Sequence, residues 1–277
     1  MTDRNPFPPA RRQQTAISRA LMQEAYLAQS LLEGGMTSIR RLSFENQGRA
    51  FEGFFGLANG IERTAKLILV TDHYANTGSF PGPKQLKAFG HDLTELVRHV
   101  EKVSESWNVA GDSSPSRDEG SESVITFLTR FALTDRYFNL NRLSQGDASV
   151  IDDPLSRWVA LVKRHAPSPR KIRRVEEEQR EVASRLDARL AIQVNFAAMS
   201  GDRINSLESA TIQAHEDEWV GVQGVLLAVR PLRFLARTIG RLNNVREPVP
   251  FYSEIFFDWL APDSVLRKRR GFPRGRN

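Results

Sequence analysis

The chain has 277 residues, of which 40% are hydrophobic and 26% charged, so it can bury a sizeable core and need not stay disordered. It contains no cysteine, which excludes disulfide scaffolding, thiolate metal sites and cysteine nucleophiles. The formal net charge of +6 sits entirely within residues 264–277, where Arg267, Lys268, Arg269, Arg270, Arg274 and Arg276 meet no acidic residue and the remainder of the chain is balanced.

The opening stretch MTDRNPFPPARRQQTA lacks an apolar run of signal-peptide type. From Thr15 to Leu32, Ile17, Leu21, Ala25, Ala28 and Leu32 share one helical face, and Gly34-Gly35 is expected to stop that helix. Residues 36–46 carry no clear pattern. A second helix is predicted from about residue 50 to His73, burying Phe51, Phe54, Phe55, Ala58, Ile61, Ala65, Ile68 and Leu69. Gly53, Gly56 and Gly60 form a neighbouring stripe. Glycine inside a helix costs about 1 kcal/mol relative to alanine, so the stripe predicts close approach of another helix, in the same chain or in a homodimer.

The segment ANTGSFPGP reads as a hinge. Beyond it Asp92 and Glu95 fit a helix start, and Leu93, Leu96, Val97, Val100, Val103 and Trp107 continue as one stripe. Residues 108–122 are polar and aperiodic, a mobile loop by composition, and a helix follows from Ser123 to Phe138. The later half is expected to be helical too. A short amphipathic helix covers DPLSRWVALVKRH. A long one spans 170–199, with Ile172, Val175, Val182, Leu186, Leu190 and Val194 near heptad spacing, and another spans Glu218 to Leu242 with Pro231 inside it. Its most apolar run, Trp219 to Ala236, is interrupted by Gln223, Arg230, Pro231 and Arg233, so no membrane span is expected and a cytoplasmic setting is. The final segment concentrates Phe251, Tyr252, Phe256, Phe257 and Trp259, and positions 251, 252, 255, 256, 259 and 260 have the spacing of an anchoring helical face, with stacking on single-stranded nucleic acid as the alternative. Little period-two alternation occurs, and the fold class is all-α.

Three pieces of this pattern resemble the HEPN superfamily of helical domains: Glu62 and Lys66 four apart on the second helix, the Gly90-His91-Asp92-Leu93 opening of the next, and Arg136-Tyr137 at the end of FALTDRYFNL. The resemblance covers residues 13–142 and leaves 150–277 as a helical C-terminal region. It implies a HEPN-like bundle with a helical C-terminal extension, from a defence or toxin-antitoxin system, with RNA, a second copy of the chain or a protein partner bound to it. The family's ribonucleases carry Arg-x4-6-His, and none of His73, His91, His99, His165 and His215 has an arginine at that distance before it. The implied role is therefore an RNA-associated binding or interaction module. A ribonuclease with unconventional residues and a helical scaffold without nucleic acid are the alternatives.

Arginine can bridge phosphate oxygens and tyrosine can stack on a base, which makes Arg136, Tyr137 and Asn139 candidate RNA contacts. The competing expectation pairs Arg136 with Asp135 or a helix end and packs Tyr137 in the core. Arg267, Lys268, Arg269 and Arg270 are candidates by charge, on a tail expected to be solvated and dispensable for folding. Glu62 and Lys66 are expected to form a structural pair. His73, His91 and Asp92 form a candidate polar cluster with Asp72, against the plainer expectation that His91 bonds near a helix start. Phosphate loops, nucleophile elbows and His-Glu-x-x-His are absent, and no metal or cofactor is expected.

Overall fold

The computed structural model describes residues 15–109, 114–145, 152–167, 172–190 and 195–272. The fold is all-α, with one two-stranded antiparallel hairpin among the described residues.

Helix α1 (Ala16–Arg40) is capped by the Thr15 side chain, which accepts from the Ser18 amide. It does not stop at Gly34-Gly35. A Cβ on Gly35 would stand 2.7 Å from the Leu57 amide nitrogen, so Gly35 is a contact point and not a terminus. Its partner is α2 (Gly48–Thr77), which runs one turn past His73 to a left-handed Gly78. A Cβ on Gly53, Gly56 or Gly60 would lie 2.6–2.7 Å from Ile39, Leu31 or Leu32 of α1. The glycine stripe thus serves the close packing of α1 on α2 within the chain. Phe54, Ala58, Ile61, Ala65, Ile68 and Leu69 are buried as the periodicity predicts, whereas Phe51 and Phe55 lie at the core's edge.

The expected hinge is shortened by α2 at its start and followed by a short helix, α3 (Pro83–Ala88), before α4 (Leu93–Ser106), whose N-cap Asp92 accepts from the Thr94 and Glu95 amides. Within the expected loop 108–122, residues 114–122 are held by hydrogen bonds and a helix start. Glu101 accepts from Ser116 N at 2.8 Å and from the Ser114 hydroxyl, and Asp118 caps α5 (Glu119–Leu133). Residues 110–113 lie outside the described residues. The expected helix to Phe138 breaks at Thr134. A 3-10 turn over Asp135–Tyr137 then leads into α6 (Phe138–Gln145).

Helix α7 (Pro154–His165) packs Trp158 against both Phe54 and Phe127, which also touch each other. Helix α8 (Ile172–Leu190) is shorter than expected, because Phe196–Ala197 (β1) and Arg203–Ile204 (β2) form the hairpin with Gly201 at positive φ in its turn. Among the described side chains of α8, Ala183 is buried while Val182 and Leu186 are exposed, so these two members of the expected heptad stripe do not face the core. The side chains of Ile172, Val175, Leu190 and Val194 lie outside the described residues. Helix α9 (Leu207–Arg241) starts well before Glu218, capped by Ser206, and continues through a buried Pro231. By length and composition it could cross a membrane, yet 78% of its most apolar stretch is buried inside the protein. It packs on α1, α2, α4, α5 and α7, and one hydrophobic core joins residues of both halves of the chain.

The C-terminal aromatics form no single helix. Helix α10 (Ser253–Phe256), a 3-10 turn over Phe257–Leu260 and α11 (Asp263–Leu266) wrap the end of α9. Tyr252, Ile255, Phe256 and Trp259 are buried, and Phe251, Phe257 and Leu260 are exposed.

Candidate nucleic-acid interface

Residues 264–272, expected as a solvated tail, are docked. Leu266 and Phe272 are buried, and Thr37 exchanges two 2.8 Å hydrogen bonds with the Phe272 backbone. The Arg40 and Arg41 side chains donate to the carbonyls of Arg269 and Arg270 at 3.1 and 2.9 Å. Docking gathers six cations: Arg40, Arg41, Arg267, Lys268, Arg269 and Arg270. Two are neutralised locally, Arg40 by two hydrogen bonds to Glu218 and Arg269 by Asp258. Arg41, Arg267 and Lys268 have no carboxylate partner among the described residues. The hydrogen bonds from Arg40, with the charges of Arg40 and Arg270, hold the Glu218 carboxyl below its ordinary range against some desolvation.

That shift gives a pH prediction. A carboxyl lowered in the folded state adds stability that is present above its unfolded value and lost as pH falls through the folded one. The loss of thermal stability from about pH 6 to about pH 3 should therefore be smaller in Glu218→Gln than in the native chain, by under about 1 kcal/mol because this carboxylate is half exposed. Equal acid profiles in a melting series would contradict it.

Arg136 does not pair with Asp135, and Tyr137 does not pack in the core. Asp135 is buried and engaged by Arg157 and Arg130, with Asp152 completing the network, so it is not Arg136's partner. The Arg136 guanidinium instead lies 5.2 Å from the Phe55 ring centroid, and Tyr137 is 60% exposed beside the exposed Asn139. Phe55 also lines an open groove of about 550 Å³ between α1 and α2, with Ser30, Gly34 and Ser38 on one wall and Phe51, Glu52 and Asn59 on the other. Thr37 and Arg41 follow Ser30 and Gly34 at helical spacing along α1, so the basic shelf lies beyond the Ser38 end of the groove.

The polar cluster does not assemble. His91 Nδ1 is 2.9 Å from Glu62 Oε1, the oxygen that accepts from Lys66 Nζ at 2.8 Å. Asp92 is spent as a cap. Asp72 accepts from the Trp107 indole at 2.7 Å, and His73 has no side-chain hydrogen bond among the described residues. No group of three or more His, Asp and Glu side chains suited to a metal occurs among the described residues. Tyr252, the buried phenol, is pushed up to about 12 by desolvation, opposed by its bond to Thr71, and stays protonated as a core group.

The residues missed from sequence are Arg40 and Arg41. Two arginines at a helix C-terminus read as ordinary dipole partners, and only the return of residues 266–272 makes them part of a surface. Comparison with family models, with characterised proteins and with solved structures gave no match.

Proposed function

We propose that the chain is an RNA-associated binding module, a HEPN-like protein of a defence or toxin-related system acting in the cytoplasm. The observation that supports it is the docked basic shelf: Arg41, Arg267, Lys268 and Arg270 are exposed cations whose backbone is pinned to α1, so phosphates meet a preorganised cluster. The adjoining groove, with Arg136 on Phe55 and an exposed Tyr137, offers aromatic and polar contacts suited to unstacked bases.

Binding of a labelled single-stranded RNA, followed by anisotropy across a salt titration, tests this. Replacing Arg41, Arg267 and Lys268 together by glutamine should reduce the magnitude of the log K against log salt slope by about 2, at roughly 0.7 for each phosphate no longer neutralised. An unchanged slope would remove the shelf from the function. Total RNA should stay intact under the same conditions, and cleavage abolished by Arg136→Ala would establish the ribonuclease alternative.

A second function is favoured by one feature. Leu133, Tyr137, Leu140 and Leu143 are each more than half exposed at the end of α5 and along α6, an apolar ridge suited to a protein partner or a second copy of the chain. Light scattering of the native chain against Leu140→Ser/Leu143→Ser distinguishes the homodimer from the monomer.

A further inference from the structure

A second opening between α1 and α2 lies toward the start of α1 and the end of α2, away from the glycine contacts. There a hollow of about 460 Å³ is lined by Leu21, Leu67, Val70, Phe80 and Leu86, with Glu24, Arg63 and Lys66 as its charged groups. That volume falls in the range of small-molecule sites. Its cover is the segment 79–90, which begins after Gly78 at φ 74° and ends at Gly90 at φ 69°. Helix α3 within it has no buried residue, and Leu86 points an exposed apolar side chain into the hollow. One edge of the cover is fixed, because Phe80 stacks on Tyr74 at 4.5 Å and the Tyr74 hydroxyl donates to the Glu247 carbonyl.

The polar rim has a defined chemistry. Arg63 donates to Glu24 at 2.7 Å and Lys66 to Glu62 at 2.8 Å, one bond each. Most of the five N–H donors of arginine and the three of lysine therefore remain for a ligand. A hydrogen-bond acceptor fits this rim and a cation does not. Glu24 lines the hollow and Glu62 does not, so with Arg63 and Lys66 the lining keeps one net positive charge, which a single negative charge matches and a phosphate dianion would exceed. We propose that the hollow binds an amphipathic monocarboxylate, a medium-chain acyl or aryl acid, with its tail against Leu21, Leu67, Val70 and Phe80 and its carboxylate on Arg63 and Lys66. The hollow lies at the opposite end of the helix pair from the basic shelf, and its occupancy does not rest on RNA binding.

The test is fluorescence enhancement of 11-(dansylamino)undecanoate by the full chain, with displacement by dodecanoate, dodecanol and dodecyltrimethylammonium. Dodecanoate should displace the probe about tenfold better than dodecyltrimethylammonium, and Arg63→Gln should weaken dodecanoate about tenfold while leaving dodecanol unchanged. Ala20→Trp, at an exposed position on the lining, should abolish probe binding with the melting temperature kept. If that variant does not fold, Leu86→Trp on the cover carries the same expectation. Undiminished probe binding in the filled variants, equal displacement by carboxylate and ammonium, or no enhancement up to about 100 μM would each overturn the proposal, the last because well-buried chains of this length bind more tightly.

Discussion

Ending the chain at Asp263 is expected to lower its melting temperature by roughly 10–20 °C. The truncation removes Leu266 and Phe272 from the core, about 1.5–3 kcal/mol each, together with the Thr37 and Arg40 hydrogen bonds that tie the segment to α1. Trp259 loses its ring neighbour Phe272, at 5.8 Å between centroids, and its indole bond to Gln29 becomes open to water. Against a total stability of about 5–15 kcal/mol this is a large fraction. The control is the charge alone: Arg267→Gln with Lys268→Gln should melt within about 2 °C of the native chain, since exposed substitutions rarely exceed about 0.5 kcal/mol each. A truncated chain with native melting would show that the docked segment does not contribute to stability, as the dispensable tail expected from composition requires.

The second large effect is expected at Gly56. An added Cβ would stand 2.7 Å from the Leu31 carbonyl oxygen, 2.8 Å from Gly35 Cα and 2.9 Å from Gly35 N, all backbone atoms that cannot rotate aside. Gly56→Leu should therefore force α1 and α2 apart and cost about 3 kcal/mol or more, exceeding the helix-propensity gain of about 1 kcal/mol. Gly34→Ala is the opposite case. Nothing lies within 4 Å of its Cβ position and the site is exposed, so it should stabilise the chain by up to about 1 kcal/mol. Urea unfolding of the two variants reads both signs, and a stable Gly56→Leu would refute the close approach of the two helices.

These substitutions mark how far the sequence can be read. The stripe of Phe54, Ile61, Ala65 and Ile68 announces a buried helical face, because the 3.6-residue period is a local property of the chain. Asp92 announces its cap for the same reason, the amides it accepts from lying two and three residues ahead. Arg136 and Tyr137 are legible as candidates by residue type alone. Their exposure is not, because it depends on Arg157 of α7 drawing Asp135 inward and on Phe55 lying beneath the guanidinium. The first turns of α9 escape a sequence reading because Leu207–Asp217 is too polar to register as a packed face before α8 is known to lie against it.

By itself the sequence determined the helical class, the absence of cysteine chemistry, the concentration of positive charge near the C-terminus and the glycine spacing that calls for a close neighbour. Each follows from composition or from interactions within a few residues. Tertiary structure decided that Gly35 continues a helix, that the glycine stripe is satisfied within the chain, and that the basic segment is a docked shelf beside Arg40 and Arg41. Those outcomes rest on pairs such as Thr37 with Phe272, 235 residues apart, whose meeting no local period encodes and only burial of a shared core enforces.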